Sequence, residues 1–261
     1  MTIYTVALSK GGSTKTTTAA ELVAELARRG RRVLAVDLDQ QGNLTTRLGV
    51  VEDDEVGDVA SDVLLGKSTA TQAAFPSPAV PGAAVLAGTH HLADLEHRPE
   101  VITSLRDHLP DVAGEWDDVV IDTPPSLGLV TLAGLAAAET VVVSLEVKTE
   151  AFDQLSRLTD VIAERISPRL RPGLEVGWIV PTKYNARRGL DREVVELLEE
   201  QYPGRITSPV REAIAAADAY TAGKPVSVYA PKAGVTQDYA AAMRTILGAG
   251  PERPDGEENR P

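Results

Sequence analysis

Residues 3–18 read IYTVALSKGGSTKTTT, and the order of residue types in that stretch decides the fold. An apolar, β-branched run, Ile3 to Leu8, passes directly into a Gly/Ser/Thr loop that carries lysines at positions 10 and 15. Beyond the loop Ala20, Val23, Ala24 and Ala27 recur at helical spacing, Leu22 and Leu26 widen the apolar stripe, and Gly30 stands where a helix stops. The unit is strand, phosphate-sized loop, helix. Further apolar runs follow at Val33 to Asp37, Ala84 to Ala87, Val119 to Asp122, Thr140 to Leu145 and Val176 to Val180, separated by helix-period segments. Strands that are apolar on nearly every residue are buried on both faces. The pattern therefore predicts an α/β protein, a mostly parallel twisted sheet with helices on both faces. A last helix is expected over Val235 to Leu247, and Pro76 to Pro81 and Ser167 to Gly173 are expected to be turn-rich connections.

The chain has 261 residues, 43% of them apolar, which suits one larger domain with an ample core. That domain is expected over 1–250, followed by an acidic disordered tail at 251–261, PERPDGEENRP. The formal charge of -12 excludes a generally basic surface, so any contact with nucleic acid must be local. The absence of cysteine excludes disulfides, thiolate metal sites and iron–sulfur clusters. No segment approaches the roughly 20 apolar residues needed to span a bilayer, and the N-terminus lacks a secretory pattern. A cytoplasmic protein that does not engage a membrane is expected.

A strand that ends in a glycine-rich turn and feeds a helix presents backbone N–H groups and a positive dipole end to an anion. Gly11, Gly12, Ser13, Thr14, Lys15, Thr16 and Thr17 are the candidate cradle for phosphates, with Lys15 reaching the β- and γ-phosphates and the Thr16 hydroxyl on Mg²⁺. Strand alternation places Asp37 and Asp39 on one side of the C-terminal sheet edge, where open parallel sheets bind ligands. Asp122 ends another apolar strand, the position from which an acid holds Mg²⁺ through water opposite Thr16. A glycine turn without function and acids that merely cap strand ends are the alternative readings.

The octet KGGSTKTT, residues 10–17, resembles the deviant Walker A motif K-G-G-x-x-K-[ST] of the ParA/MinD family of ATPases, most members of which carry glycine where this chain has Thr14. DLDQQGN, residues 37–43, is similar to the family's D-x-D-P-Q-G-N, with Gln40 in place of proline, and DTPPSLG, residues 122–128, is similar to its D-x-P-P-S-L-G. The resemblance continues through LGLVTLAGLAAAETVVVSLE at 127–146 and AGKPVSVYAP at 222–231, and so covers about Thr2 to Leu247. It implies a P-loop NTPase that uses ATP and Mg²⁺. Lys15 would serve the chain's own nucleotide, while Lys10 would reach across an ATP-bound homodimer to the nucleotide of the partner subunit. Asp39 would orient the attacking water, Asp37 would stand in the water shell of the metal, and Asp122 would hold the metal. Thr123, Pro124 and Pro125 would form a switch that senses the γ-phosphate. Family position also places Pro181 to Lys183 and Pro209 to Glu212 at the adenine pocket, and Thr14 and Gln40 bear on the hydrolysis rate.

Within that family, the lack of cysteines, of a basic amphipathic C-terminal helix, of a tyrosine cluster and of an N-terminal helix-turn-helix leaves the short ParA/Soj-like partition ATPases. The resemblance implies a weak ATPase stimulated by a ParB-like centromere-binding protein. Its ATP dimer would bind nonspecific double-stranded DNA of the nucleoid and move a plasmid or chromosome. The resemblance makes Lys183, Arg187, Arg188, Arg211 and Lys224 the DNA-binding candidates, because the family's basic DNA-binding residues fall in these C-terminal segments, and phosphate-directed binding needs clustered cations more than net charge. Asp191, Glu193 and Glu212 lie among them, so an ordinary mixed-charge face is the competing reading. A relative that positions a protein cargo or organelle is the alternative function, and an idle ATP-binding scaffold is a third.

Overall fold

The computed structural model describes residues 1–8, 14–51 and 56–248. Its strands are β1 (Thr2–Ala7), β2 (Val33–Asp37), β3 (Phe75–Pro76), β4 (Ala83–Leu86), β5 (Asp118–Asp122), β6 (Thr140–Glu146) and β7 (Val176–Thr182). They form one sheet in the order β3-β4-β2-β5-β1-β6-β7, parallel throughout except for the β3–β4 pair. The helices of the first half are α1 (Lys15–Arg28), α2 (Asn43–Arg47), α3 (Ala60–Leu64), α4 (Ala70–Ala73) and α5 (Ser104–His108). Those of the second half are α6 (Leu129–Ala137), α7 (Ala151–Val161), α8 (Gly189–Gln201), α9 (Ala215–Thr221), α10 (Val226–Tyr229) and α11 (Gly234–Leu247). The mostly parallel sheet is what the strand pattern predicts, and it agrees with the P-loop NTPase fold that the resemblance implies.

Alternation within the all-apolar strands feeds a core on each face of the sheet. Val33 and Ala35 of β2 join Val6, Val120 and Val142 beneath α1 and α11, where Leu22, Val23, Tyr239 and Met243 cover them. Leu34 and Val36 point the other way and pack with Ile121, Val130 and Ala133 under α6. A third cluster, with Val141, Val143 and Ile179, is covered by Leu155 and Leu158 of α7 and by Val194 and Leu198 of α8. Each fully buried Val, Leu or Ile side chain contributes about 1.5–3 kcal/mol relative to exposure. Helices on both faces follow from strands with no polar face to leave in water.

The structure departs from the sequence expectation at the sheet edges. Pro76 stands in a short antiparallel edge strand beside β4, a place that proline tolerates because the ladder asks no N–H of it there. At the opposite edge residues 205–211 run parallel to β7, through Ile179 N–H to the Arg205 carbonyl at 2.8 Å and Val210 N–H to the Pro181 carbonyl at 2.8 Å. Thr207, Ser208 and Pro209 hide that pairing from a reading by apolar runs. The connection at 167–173 does run as turns and closes on Gly173, whose φ of 78° favours glycine.

Parallel order sends the C-terminal ends of β1, β2 and β5 to one edge. β1 lies between β5 and β6, so the chain leaves it toward β2 on one side while later strands build the other. Such a reversal opens a crevice at the carboxyl edge. No helix of the described residues is long and apolar enough to cross a membrane. The acidic segment 251–261 lies outside the described residues.

Candidate functional site

Strand register brings the acids together. Asp37 at the end of β2 is the direct partner of Asp122 at the end of β5, and Val6 of β1 is the partner of Asp122 on its other side. β1, from which the phosphate loop departs, therefore runs beside Asp122, with Asp37 one strand further on. Lys10, Gly11, Gly12 and Ser13 of that loop lie outside the described residues.

Where the description resumes, Thr14 caps α1 with φ 66° and ψ 10°, left-handed backbone that costs a residue with a Cβ about 1–2 kcal/mol. Its side chain is held by a chain of hydroxyls. Thr14 Oγ1 donates to Thr182 Oγ1 at 2.7 Å and lies 2.8 Å from Ser144 Oγ. Thr18 Oγ1 donates to Ser144 Oγ at 3.0 Å, and Thr182 Oγ1 donates to the Leu145 carbonyl at 3.1 Å. Each hydroxyl has one proton, so the directions resolve as Thr18 to Ser144 to Thr14 to Thr182 to the Leu145 carbonyl. A threonine thus occupies the glycine-like position because β6 and β7 supply partners for its hydroxyl.

Lys15 and Thr17 are buried, and Thr16 is half-buried, at the first turn of α1. Burial lowers the Lys15 pKa, and the carboxylates of Asp122 and then Asp39 pull it back up. Asp122 is fully buried, and neither of its oxygens has a hydrogen-bond partner among the described residues. Burial first and the neighbouring Asp37 second push its pKa up to about 8, while the Thr16 hydroxyl and Lys15 favour the ionised form. A buried carboxylate with open oxygens beside a threonine hydroxyl is a hard-oxygen donor set, and it fits Mg²⁺.

Asp37, expected in the water shell of the metal, holds the loop that carries Asp39. One oxygen accepts from Asp39 N–H at 3.1 Å, and the other accepts from the Thr45 N–H and Thr45 hydroxyl, both at 2.8 Å. Gly88 N–H donates to Thr45 Oγ1 at 3.0 Å, and a Cβ on Gly88 would meet Asp37 Cγ and the Asp39 carbonyl at 2.7 Å. Asp39 in turn accepts from Gln41 N–H at 3.0 Å. Of the switch candidates, Thr123 is pinned to β1 through its hydroxyl to the Val6 carbonyl at 2.9 Å, Pro124 is buried and Pro125 is exposed.

These elements enclose a cavity of about 460 Å³, lined by Thr14, Lys15, Thr16, Thr17, Asp39 and Pro125 on one part of its wall. Gln41, Asn43, Arg47 and Tyr220 complete it. Tyr220 OH donates to Asn43 Oδ1 at 2.8 Å, and the Arg47 guanidinium lies 5.1 Å from the Tyr220 ring centre. The sequence reading missed Arg47 and Tyr220. Arg47 lies four residues past the motif, and its partner Tyr220 is far along the chain. Pro209 is not among the residues that line this cavity; it sits in the 205–211 segment beside β7. The AGKPVSVYAP segment meets α1 through Glu21, which is buried and accepts from Ser227 N–H at 3.2 Å.

The DNA-binding candidates are spread over a mixed-charge face. Lys183 pairs with Glu146 at 3.3 Å, and Arg211 makes a two-pronged pair with Asp238, one arm at 2.9 Å. Arg188 lines a cleft of about 500 Å³ together with Glu146, Glu150, Asp191 and Glu212. Arg187 and Lys224 are exposed and pair with no carboxylate among the described residues.

With this geometry in view, known proteins supply independent points of comparison. A family model described as AAA domain matches residues 1–176. "Chromosome partitioning protein ParA" of Myxococcus xanthus is 32% identical over 251 residues, covering 94% of this chain and 87% of its own. "Chromosome-partitioning ATPase Soj" of Treponema pallidum is 31% identical, covering 94% and 96%. A solved structure from Mycobacterium smegmatis, named cobyrinic acid a,c-diamide synthase with bound ADP and magnesium, superimposes with a TM-score of 0.73 at 34% identity, over 84% of this chain and 91% of that one.

Proposed function

This chain belongs to the ParA/Soj-like family of partition ATPases, and from that premise we propose that it is an ATP-driven dimerising switch that binds nonspecific DNA and hydrolyses ATP slowly. The observation that carries the reading is the convergence of Lys15, Thr16 and Asp39 on one cavity with the open carboxylate of Asp122 beside them. Lys15 and the backbone N–H groups at the start of α1 bind the phosphates. Thr16 and Asp122 hold Mg²⁺, which neutralises phosphate charge when bound. The ADP and magnesium held by the Mycobacterium smegmatis structure support this choice of ligands.

Asp39 orients water, on a loop that Asp37, Thr45 and Gly88 keep rigid. Pro125 reports the state of the nucleotide, since it lines the cavity and leads into the start of α6. Lys10, outside the described residues, acts in trans on the nucleotide of the partner subunit and makes the dimer depend on ATP. In the dimer Arg187, Arg188 and Lys224, with Lys183 and Arg211 drawn from their ion pairs, form the DNA-facing surface, and a ParB-like protein accelerates turnover. The cargo is a plasmid or chromosome, and the work is done in the cytoplasm at the nucleoid.

The test is binding to nonspecific duplex DNA with ATP, with ADP and without nucleotide, at two salt concentrations, for the wild type and Asp39→Ala. ATP-dependent, salt-sensitive binding that Asp39→Ala prolongs is the expected result. Dimerisation on ATP with no DNA binding in any state would move the reading to a switch that positions a protein cargo.

A further inference from the structure

Arg47 is a buried cation with no counter-charge in contact with it among the described residues. It is 8% exposed at the end of α2, and no carboxylate lies within ion-pair distance of it among the described residues. Its two terminal nitrogens share one acceptor, the Ala216 carbonyl, at 3.4 and 3.3 Å, and its face lies over Tyr220. These are long contacts that leave most of its five N–H donors unused. Burial lowers its pKa, and the acids that act on it, Glu21 and Asp122, do so only from a distance. A buried guanidinium left in this state is destabilising, and an anion that fills the vacant donors removes the penalty.

Its position says which anion. Arg47 lines the same cavity as Lys15, Thr16 and Asp39, and reaches it from the end of α2. We propose that Arg47 is a nucleotide-binding residue that grips the phosphate chain in cis, as a second cation to Lys15. The assignment rests on the nucleotide-site reading above. Arg47 also touches α9 through Tyr220 and Ala216, so the grip ties α9 to occupancy of the site. Tyr220 orients the guanidinium from behind and acts as a positioning residue.

The test compares equilibrium binding of magnesium-ATP and magnesium-ADP by the wild type, Arg47→Met, Arg47→Lys and Lys15→Ala, with the melting temperature of each protein free of nucleotide. Methionine keeps the packing on Tyr220 and removes the charge. The expected result for Arg47→Met is an unchanged or higher nucleotide-free melting temperature, with ATP affinity down at least about tenfold. Arg47→Lys restores part of the affinity. A purely structural Arg47 would instead lower the melting temperature and leave the affinity of the folded fraction intact. The proposal is overturned if Arg47→Met binds ATP like the wild type while Lys15→Ala does not, an outcome that leaves the site itself standing. If the wild type binds neither nucleotide, the site reading falls and this inference with it. Should Arg47→Met fail to fold, Arg47→Lys decides: affinity within about threefold of wild type supports the grip by a cation, and loss as complete as that of Lys15→Ala overturns it.

Discussion

Thr14 at the head of α1 and Thr182 at the end of β7 lie 168 residues apart in the chain and 2.7 Å apart in space. Their contact lets a residue with a side chain take the left-handed backbone of a phosphate loop, because the hydroxyl bonds offset the strain.

Thr14→Ala keeps the left-handed strain and loses the hydroxyl, and should lower unfolding free energy by about 1–2 kcal/mol. Thr14→Gly loses the same bonds but sheds the strain, and should stay within about 1 kcal/mol of the wild type. Urea denaturation of the two variants distinguishes them; equal losses would mean that strain plays no part.

Gly88→Ala pushes a methyl group into the Asp37 carboxylate and the Asp39 carbonyl, each 2.7 Å from the ideal Cβ. The clasp that holds Asp39 must shift. ATP turnover should fall by at least about tenfold while Kd for ATP changes by less than about threefold, since Asp39 acts on water and Lys15 on phosphate. Steady-state kinetics beside equilibrium binding make the check.

Lys15→Ala should abolish measurable magnesium-ATP binding, and Asp39→Ala should bind ATP normally, form a long-lived dimer and lose turnover. Calorimetry gives the first result and light scattering with ATP the second. A dimer of Asp39→Ala no more persistent than that of the wild type would remove water activation from Asp39.

Glu21 is buried against α10, and that burial raises its pKa above the ordinary 4.5 despite hydrogen bonds from Ser227 and Val226 and the charge of Arg47. In the window from about pH 4.5 up to the raised value the folded state holds a proton that the unfolded state has lost, so stability falls as pH rises, then levels off. Glu21→Gln keeps an acceptor for Ser227 and should flatten this slope, so that it is more stable than the wild type at pH 8. Thermal melts across pH 4–9, an interval of about five units, test it.

The strands were the legible part of this fold, because β2 and β5 bury every residue and therefore read as unbroken apolar runs. The 205–211 segment escaped because its pairing to β7 through Arg205, Thr207 and Val210 is interrupted by Ser208 and Pro209, which break any strand pattern. Asp39 and Asp122 were readable in the same way, since a carboxylate at the end of an apolar strand is conspicuous. Gly88 was not. Its significance lies in what a Cβ would strike, and that is set by residues some forty to fifty positions earlier, as for Thr45 at 43 residues' separation. The same applies to Arg47, whose neighbour Ala216 is 169 residues away. Pro209, placed by resemblance alone, stands apart from the cavity wall.

The contact between Glu21 and Ser227 has a bearing on the order in which the protein is made. Translation delivers α1 well before the clamps on it, Ser144, Thr182, Tyr220 and the α10 segment. A chain short of residue 227 carries Glu21 without its Ser227 partner, and one short of residue 182 lacks the hydroxyl chain as well. Nucleotide has no completed cavity wall to meet until Tyr220 has been made, so a chain cut short before that residue lacks part of the site.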